Sequence, residues 1–392
     1  MMNIHHALQQ QNYESYVVWG RGRKTENEYE YSMEDILGIC IHGVMTRLFD
    51  QTGFWSMHAT RKLIAFIEKI KPDIIHLHNL HGYYINIDLL YEYLKKTKVK
   101  VVWTLHDCWA ITGHCAHFQI PRCNKWQDGC GKCVKKMSYP ASFFVDGSKK
   151  NWERKKRIFA SVESSIVVPS RWLGDIIKKS YLRNNSITII NNGVDLDLFR
   201  PRKTSFKIKY GIENKNIVLG VASEWTEQKG INDFLKLRNY LDDSILLVMV
   251  GVTKKQRKKL PVGIIGIERT NNAKELAAIY SSADVFLNTT YEDTYPTVNM
   301  EALACGCPVI TYDTGGALES ACLGDYEYKP HGKAFRKLGT NSVCIEELAD
   351  NVKMMINKKK NIKACRSVAK KNHDVHTQNL KYIELYKRIL VP

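Results

Sequence analysis

NTTYEDTYPTVNMEALACGCPVI, residues 288–310, sits between two β-branched runs and carries a helix start at its centre. Val285–Leu287, leading into it, and Pro308–Thr311, at its end, read as short buried strands. Pro296 suits the first turn of a helix covering Pro296–Cys305, because its missing N–H would be unpaired there in any case. Strand, crossover helix and strand in that order make a parallel β-α-β unit, and a sheet built from such units is covered by helices.

The same rhythm extends outward in both directions. Towards the N-terminus of this half, Asn216–Ala222 and Ile245–Val250 read as strands, with helices over Ile231–Leu241 and Ala273–Ser281; a further helix is expected over Cys344–Ile356. The first half repeats the pattern, with strands over Tyr16–Trp19, Asp73–His78, Val99–Leu105, Ser165–Val168 and Ile187–Ile190, and helices over Thr60–Ile70 and Ile87–Lys96. Between the halves lies NNGVDLDLFRP, a turn-rich segment ending at Pro201. The expectation is an α/β chain of two Rossmann-like domains, 1–198 and 199–375, with parallel sheets facing across a cleft. A C-terminal helix in 376–392 is expected to cross back to the first domain.

At 392 residues the chain exceeds what one hydrophobic core usually organises. Its longest apolar runs, such as Ile245–Val250, are far below the roughly 18 to 20 residues of a membrane-spanning helix. MMNIHHALQQQ lacks the apolar core of a secretion signal, which places the eleven cysteines in a reducing cytoplasm. The net charge of +18 implies an acidic partner: nucleic acid, an anionic membrane surface or a phosphate-bearing substrate. No helix-turn-helix, finger or aromatic RNA-binding signature supports nucleic acid.

Ligands of such sheets bind outside the carboxyl ends of the strands. Around Pro296, Thr297 and Val298 the opening helix presents free backbone N–H groups at its positive end, a ready site for a diphosphate. Asp293 precedes that end and Glu301 lies within the helix, with seven residues between them. A carboxylate repels phosphate, so these acids are suited to accept hydrogen bonds from sugar and ribose hydroxyls; the bland reading is that Asp293 or Thr294 caps the helix. His106 directly follows the strand ending at Leu105, at the cleft edge of the first domain, and either bonds a ligand there or bonds its own loop.

TYEDTYPTVNMEALACGCPVITYDTGG resembles the donor-binding signature of the retaining GT4 glycosyltransferases, a family with the GT-B fold. VVWTLHDCWAITGHCAHF, VVPSRWLGDIIKKSYL, IINNGVDLDLFRP and GVASEWTEQKGINDF are similar to segments of bacterial members that build capsule, exopolysaccharide or O-antigen. The resemblance implies sugar transfer from a UDP- or GDP-linked donor with retained configuration and no metal requirement, and a polyprenyl-diphosphate-linked glycan as acceptor. It also implies a peripheral location on the inner face of the plasma membrane. By position, His106, Asp293 and Lys229 would be catalytic, while Glu301, Pro296, Thr297, Val298, Gly315, Gly316 and Arg171 would bind the donor. The family's R-x4-K pattern departs here: Lys229 is present, but Glu224 holds the Arg position, so either Lys229 works with backbone amides or a cation such as Arg171 joins it. The first acid is Asp293 preceded by Glu292, where the family commonly has Glu, which leaves both acids as candidates. The family's opening strand and Gly-rich loop are absent before MMNIHHALQQQNYESY, so a first domain without them is expected. A homologue that binds nucleotide sugar or lipid-linked glycan without turnover is the alternative.

Three features fall outside that reading. Asp195-Leu196-Asp197 fits a D-x-D metal pattern but sits in the interdomain turn. Cys115, Cys123, Cys130 and Cys133 are either four thiolates around a structural zinc or buried free thiols. Lys149, Lys150, Arg154, Lys155, Lys156 and Arg157, interleaved with Trp152 and Phe159, are a membrane-facing surface, a solvated helix face or a nucleic-acid contact.

Overall fold

The computed structural model describes residues 1–21, 27–33, 35–324, 328–335 and 343–391. The chain divides into two compact units, Met1–Ile190 with Asn379–Pro392, and Asn191–Gln378.

In the first unit, β3 (Ile74–Leu77), β4 (Lys100–Thr104), β5 (Ser165–Val168) and β6 (Ser186–Ile189) form a parallel sheet in that order. A separate parallel pair joins β1 (Val17–Trp19) to β2 (Glu30–Ser32). Six helices accompany them among the described residues: α1 (Met2–Gln10), α2 (Ile36–Phe49), α3 (Met57–Ile70), α4 (Ile87–Thr97), α5 (Ser148–Phe159) and α6 (Arg171–Ile177). Their local causes are ordinary. In α3 the buried residues Ala59, Thr60, Leu63 and Ile67 recur at helical spacing. Asn86 caps α4 by accepting the Leu89 N–H, and Ser170 caps α6 by accepting that of Leu173. Val101, Val102 and Trp103 of β4 are buried with Ile166 and Val168 of β5, as expected where both faces of a parallel sheet are covered. A cavity of about 400 Å³ is lined by Ile4, Val17, Phe66, Ile74 and Tyr386, so it touches both the β1–β2 pair and the edge strand β3.

The second unit holds a six-stranded parallel sheet. Its strands are β7 (Asn216–Val221), β8 (Ile245–Val250), β9 (Ile264–Ile267), β10 (Val285–Asn288), β11 (Val309–Tyr312) and β12 (Gly332–Phe335), in the order β12-β11-β10-β7-β8-β9. Its helices are α7 (Phe206–Lys209), α8 (Ile231–Leu237), α9 (Lys254–Arg257), α10 (Ala273–Ser282), α11 (Thr297–Ala304), α12 (Ala317–Ser320), α13 (Ile345–Asn357) and α14 (Ile362–Asn372). The helix expected over Ile231–Leu241 is α8 followed by a 3-10 turn at Arg238–Tyr240. Strands β9 and β12 were not expected from the sequence.

The division falls at Ile190, earlier than the expected boundary at 198, because NNGVDLDLF packs with the second unit. Val194 N–H bonds to His373 O at 2.7 Å, and Val375 N–H returns a bond to Val194 O at 3.2 Å. The last helix, α15 (Val375–Leu390), starts in the second unit, but from Asn379 it belongs to the first. There Tyr382, Leu385 and Tyr386 form one apolar cluster with Val102, Val167 and Ile190.

Candidate active site

Helix α11 begins one residue later than expected. Thr297 is its first residue, and Pro296 occupies the capping position with extended backbone (φ −62°, ψ 118°). Pro296 has no side chain with which to cap it, and Asp293 Oδ1 accepts the Tyr295 N–H before the helix begins. The helix is held from below by a buried amide pair: Asn288 donates to Asn299 Oδ1 at 2.9 Å. Asn299 donates in turn to Ala317 O at 3.1 Å and Ser320 Oγ at 2.9 Å. These bonds tie the end of β10 to α11 and α12.

Lys229 ends a 3-10 turn, Glu227–Lys229, and its Nζ lies 2.9 Å from Asp293 Oδ2, both side chains partly exposed. Its carbonyl accepts the Thr289 hydroxyl at 2.8 Å, which locks the turn to the segment after β10. Glu292 is used differently: it is buried and accepts from Gln228 Nε2 at 3.0 Å. Of the two candidate acids, Asp293 is thus the one beside the cation. Asp293 also accepts the Tyr295 N–H at 3.1 Å through Oδ1 and the Gly316 N–H at 3.2 Å through its carbonyl, drawing the Gly315–Gly316 turn against it. Gly315 has φ +53°. Glu224, in place of the expected second cation, is exposed after β7. Arg171 opens α6 and belongs to the first unit, whereas Lys229 belongs to the second.

Glu301 sits on α11 and accepts the Tyr280 hydroxyl of α10 at 3.0 Å. Burial pushes its carboxyl above the ordinary value, and the Tyr280 bond opposes that rise. A half-buried carboxylate held by one donor keeps lone pairs for ligand hydroxyls.

In the first unit, His106 follows β4 and Leu105, and its Nε2 lies 3.1 Å from His78 Nδ1 with the rings stacked at 5.4 Å. Burial lowers its pKa, which keeps the imidazole neutral. Asp107 accepts from His81 Nε2 at 2.8 Å and from the Trp109 N–H at 2.8 Å; against the cost of burial, these partners hold it down to about 2. His76, on the strand before His78, bonds Tyr386 OH at 2.6 Å and Thr104 Oγ1 at 2.7 Å. The sequence reading missed His76, His78 and His81; two histidines at alternate positions on one strand end were the signal available.

The remaining candidates resolve into structural roles. Asp195 Oδ1 accepts the Asp197 and Leu198 N–H groups, both at 2.9 Å, closing its own turn. Among the described residues no three His, Cys, Asp or Glu side chains are arranged to hold a metal ion. Cys115 is buried and hydrogen-bonded to Cys133, while Cys130 accepts the Gly113 N–H at 3.2 Å and packs, with Cys123, on the core of the first unit. On α5, Trp152 and Phe159 are buried. Lys155 is buried too, its Nζ donating to Trp109 O at 2.8 Å and standing over the Trp109 ring. The exposed remainder, Lys149, Lys150, Lys156 and Arg157, is a solvated face without aromatic side chains to insert.

With this geometry in hand, the comparisons with known proteins are consistent along the chain. A sequence model described as Glycosyltransferase Family 4 matches residues 1–198, and one described as Glycosyl transferases group 1 matches residues 202–373. The chain is 24% identical over 344 residues to WcaC, a glycosyl transferase assigned to colanic acid biosynthesis in Escherichia coli K12, covering 81% of this chain and 80% of that protein. It is 21% identical over 223 residues to the N,N'-diacetylbacillosaminyl-diphospho-undecaprenol alpha-1,3-N-acetylgalactosaminyltransferase of Campylobacter jejuni, covering 53% and 56%. Among solved structures it resembles Anabaena Alr3699/HepE in complex with UDP, with a TM-score of 0.61 and 14% identity over 84% of this chain and 82% of that one. At that identity the likeness speaks to the fold, which is GT-B.

Proposed function

This chain belongs to glycosyltransferase family 4, and we propose that it moves a sugar from a nucleoside-diphosphate sugar to a hydroxyl of a lipid-linked glycan, with retained configuration, in surface-polysaccharide assembly. The observation that carries the reading is the Lys229–Asp293 pair, 2.9 Å apart, beside the uncapped start of α11 and one helix with Glu301. An incoming diphosphate takes the Lys229 ammonium from Asp293 and accepts N–H groups from Thr297 and Val298, so the leaving group's charge is met by donors already in place. Released from Lys229, Asp293 accepts a sugar hydroxyl, and Glu301 accepts the ribose hydroxyls. Neutral His106, in the first unit, has a ring N–H to offer a sugar hydroxyl. None of these steps needs a metal ion.

The UDP complex of HepE supports a uridine-linked donor, and the Campylobacter transferase, named for a diphospho-undecaprenol substrate, supports a lipid-linked acceptor. That acceptor would be met at the anionic inner face of the plasma membrane. Among the described residues no helix is long and apolar enough to cross a membrane.

The test is thermal unfolding of the purified chain with UDP, GDP or ADP in EDTA. A ligand bound only by the folded state at a hundred times its Kd adds about 2.7 kcal/mol of stability. A shift with one nucleotide is expected and names the base; no shift with any of the three sinks the reading. Glu224 favours a second reading, a homologue that binds the nucleotide sugar without turning it over, and release of free nucleotide from the donor separates the two.

A further inference from the structure

Helix α2 is inside out. Its buried side is polar: His42 Nε2 accepts the Gly53 N–H at 2.9 Å, His42 Nδ1 lies 2.9 Å from Ser56 Oγ, and Thr46 takes the Thr52 hydroxyl at 3.3 Å. Its outer side is apolar, with Ile36 79% and Leu37 72% exposed and Ile41, Val44 and Phe49 exposed after them. A helix of a water-soluble surface shows the reverse arrangement.

The loop 134–145 continues this surface. It is fastened to the end of α2 by the Phe143 N–H, which donates to Arg47 O at 2.7 Å. The Lys136 ammonium folds the loop by donating to Phe143 O and Phe144 O, both at 3.3 Å. The loop presents Val134, Met137, Tyr139, Phe143, Phe144 and Val145 as exposed side chains, Phe144 at 73%. Cations outnumber acids along and beside the loop: residues 131–150 contain Lys132, Lys135, Lys136, Lys149 and Lys150 against Asp146. Exposed bulky side chains on one helix and one adjoining loop, rimmed by cations, complement a bilayer with anionic headgroups.

We propose that α2 and the loop 134–145 form a docking surface for an anionic lipid bilayer, with the apolar side chains entering the headgroup boundary and the lysines meeting lipid phosphate. This moves the membrane contact away from α5, whose aromatic side chains are buried. It rests on the reading of a lipid-linked acceptor given above, since such an acceptor must be met at a membrane.

The experiment is flotation of the full chain with vesicles of phosphatidylcholine alone and of an equal mixture with phosphatidylglycerol, for the unaltered protein and for Leu37→Ser combined with Phe144→Ser. Both side chains are exposed, so thermal unfolding should stay within ordinary surface-mutation limits. The unaltered chain should float with the anionic vesicles and lose that binding in high salt, and the double variant should bind about tenfold more weakly or worse. Absence of flotation, or equal flotation by both proteins, overturns the proposal. So does a concentration-dependent dimer that the double variant abolishes without any vesicle binding, which would assign the face to a second copy. The nucleotide-induced thermal shift is read in the same samples without vesicles. Its loss would count against the donor-site reading, and its retention alongside failed flotation would count against the docking surface alone.

Discussion

Glu301 and His106 are both half-buried titratable groups, Glu301 accepting from Tyr280 and His106 bonded to His78, yet their environments suit different work. Glu301 lies on the helix whose N–H groups would take the diphosphate, so under the proposed function its hydroxyl contacts would serve nucleotide affinity. His106 is kept neutral by burial, and under the proposed function its part lies with the sugar and turnover. Glu301→Ala should therefore weaken UDP binding about 10- to 100-fold, the worth of a hydrogen bond to a charged group. His106→Ala should leave UDP affinity nearly unchanged while lowering turnover about 100-fold. Calorimetric titration of both variants, alongside donor turnover, decides it, and equal losses of affinity would undo the division of roles. At this scale the residue types were legible in the sequence, because acid, cation and helix start stand at fixed spacings along the chain. Their partners were not: Gln228 with Glu292, and Tyr280 with Glu301, meet only after β7, α10 and α11 are stacked.

The turn carrying Lys229 depends on Gly230, which holds φ +71° and would bring a Cβ to 2.2 Å from Thr289 O. Any side chain there meets both a left-handed backbone penalty of roughly 1–2 kcal/mol and a clash with the strand end that leads to Asp293. Gly230→Ala should lower the midpoint of thermal unfolding and weaken UDP binding together, because Thr289 cannot recede without moving the segment that follows it. A variant with unaltered UDP affinity would show that the position of this turn is irrelevant to the site. The glycine turn and α11 were legible as elements. Strands β9 and β12 were not, since IIGI and GKAF are too short for a period to declare itself and owe their conformation to the neighbours they pair with. Helix α2 was unread for a related reason: its apolar residues lie on the outside, so the usual inference from hydrophobicity to burial does not apply to it.

At the scale of the whole molecule, three buried histidines held neutral give the pH dependence of stability its sign below 6.5. Burial lowers His76 to about 3 and both His42 and His373 to about 4. Between those values and the ordinary 6.5 the unfolded chain binds more protons than the folded one, so stability falls as pH falls through that window. The slope is at most about 1.4 kcal/mol per pH unit for each histidine. His114 moves the other way: burial opposes its charge, but the bond to Asp50 prevails and raises its pKa, so its stabilisation is present in full below 6.5 and is lost as pH rises through the raised value. Urea unfolding at pH 7 and pH 5 should give a markedly lower free energy at pH 5, and equal values would mean these imidazoles are not buried neutral. The sequence by itself determined the alternation of strands and helices, and hence two parallel α/β sheets, and it determined which residue types stand around the start of α11. Period, turn chemistry and capping are set by neighbours along the chain, so they can be read from it. Only the tertiary structure decided that NNGVDLDLF joins the second unit, that Cys115 is buried against Cys133, that α5 hides its aromatic residues and that α2 displays its apolar ones. Each of those outcomes depends on which distant residue takes a given face out of water, and exposure and Coulomb partners are properties of the packed molecule rather than of a segment.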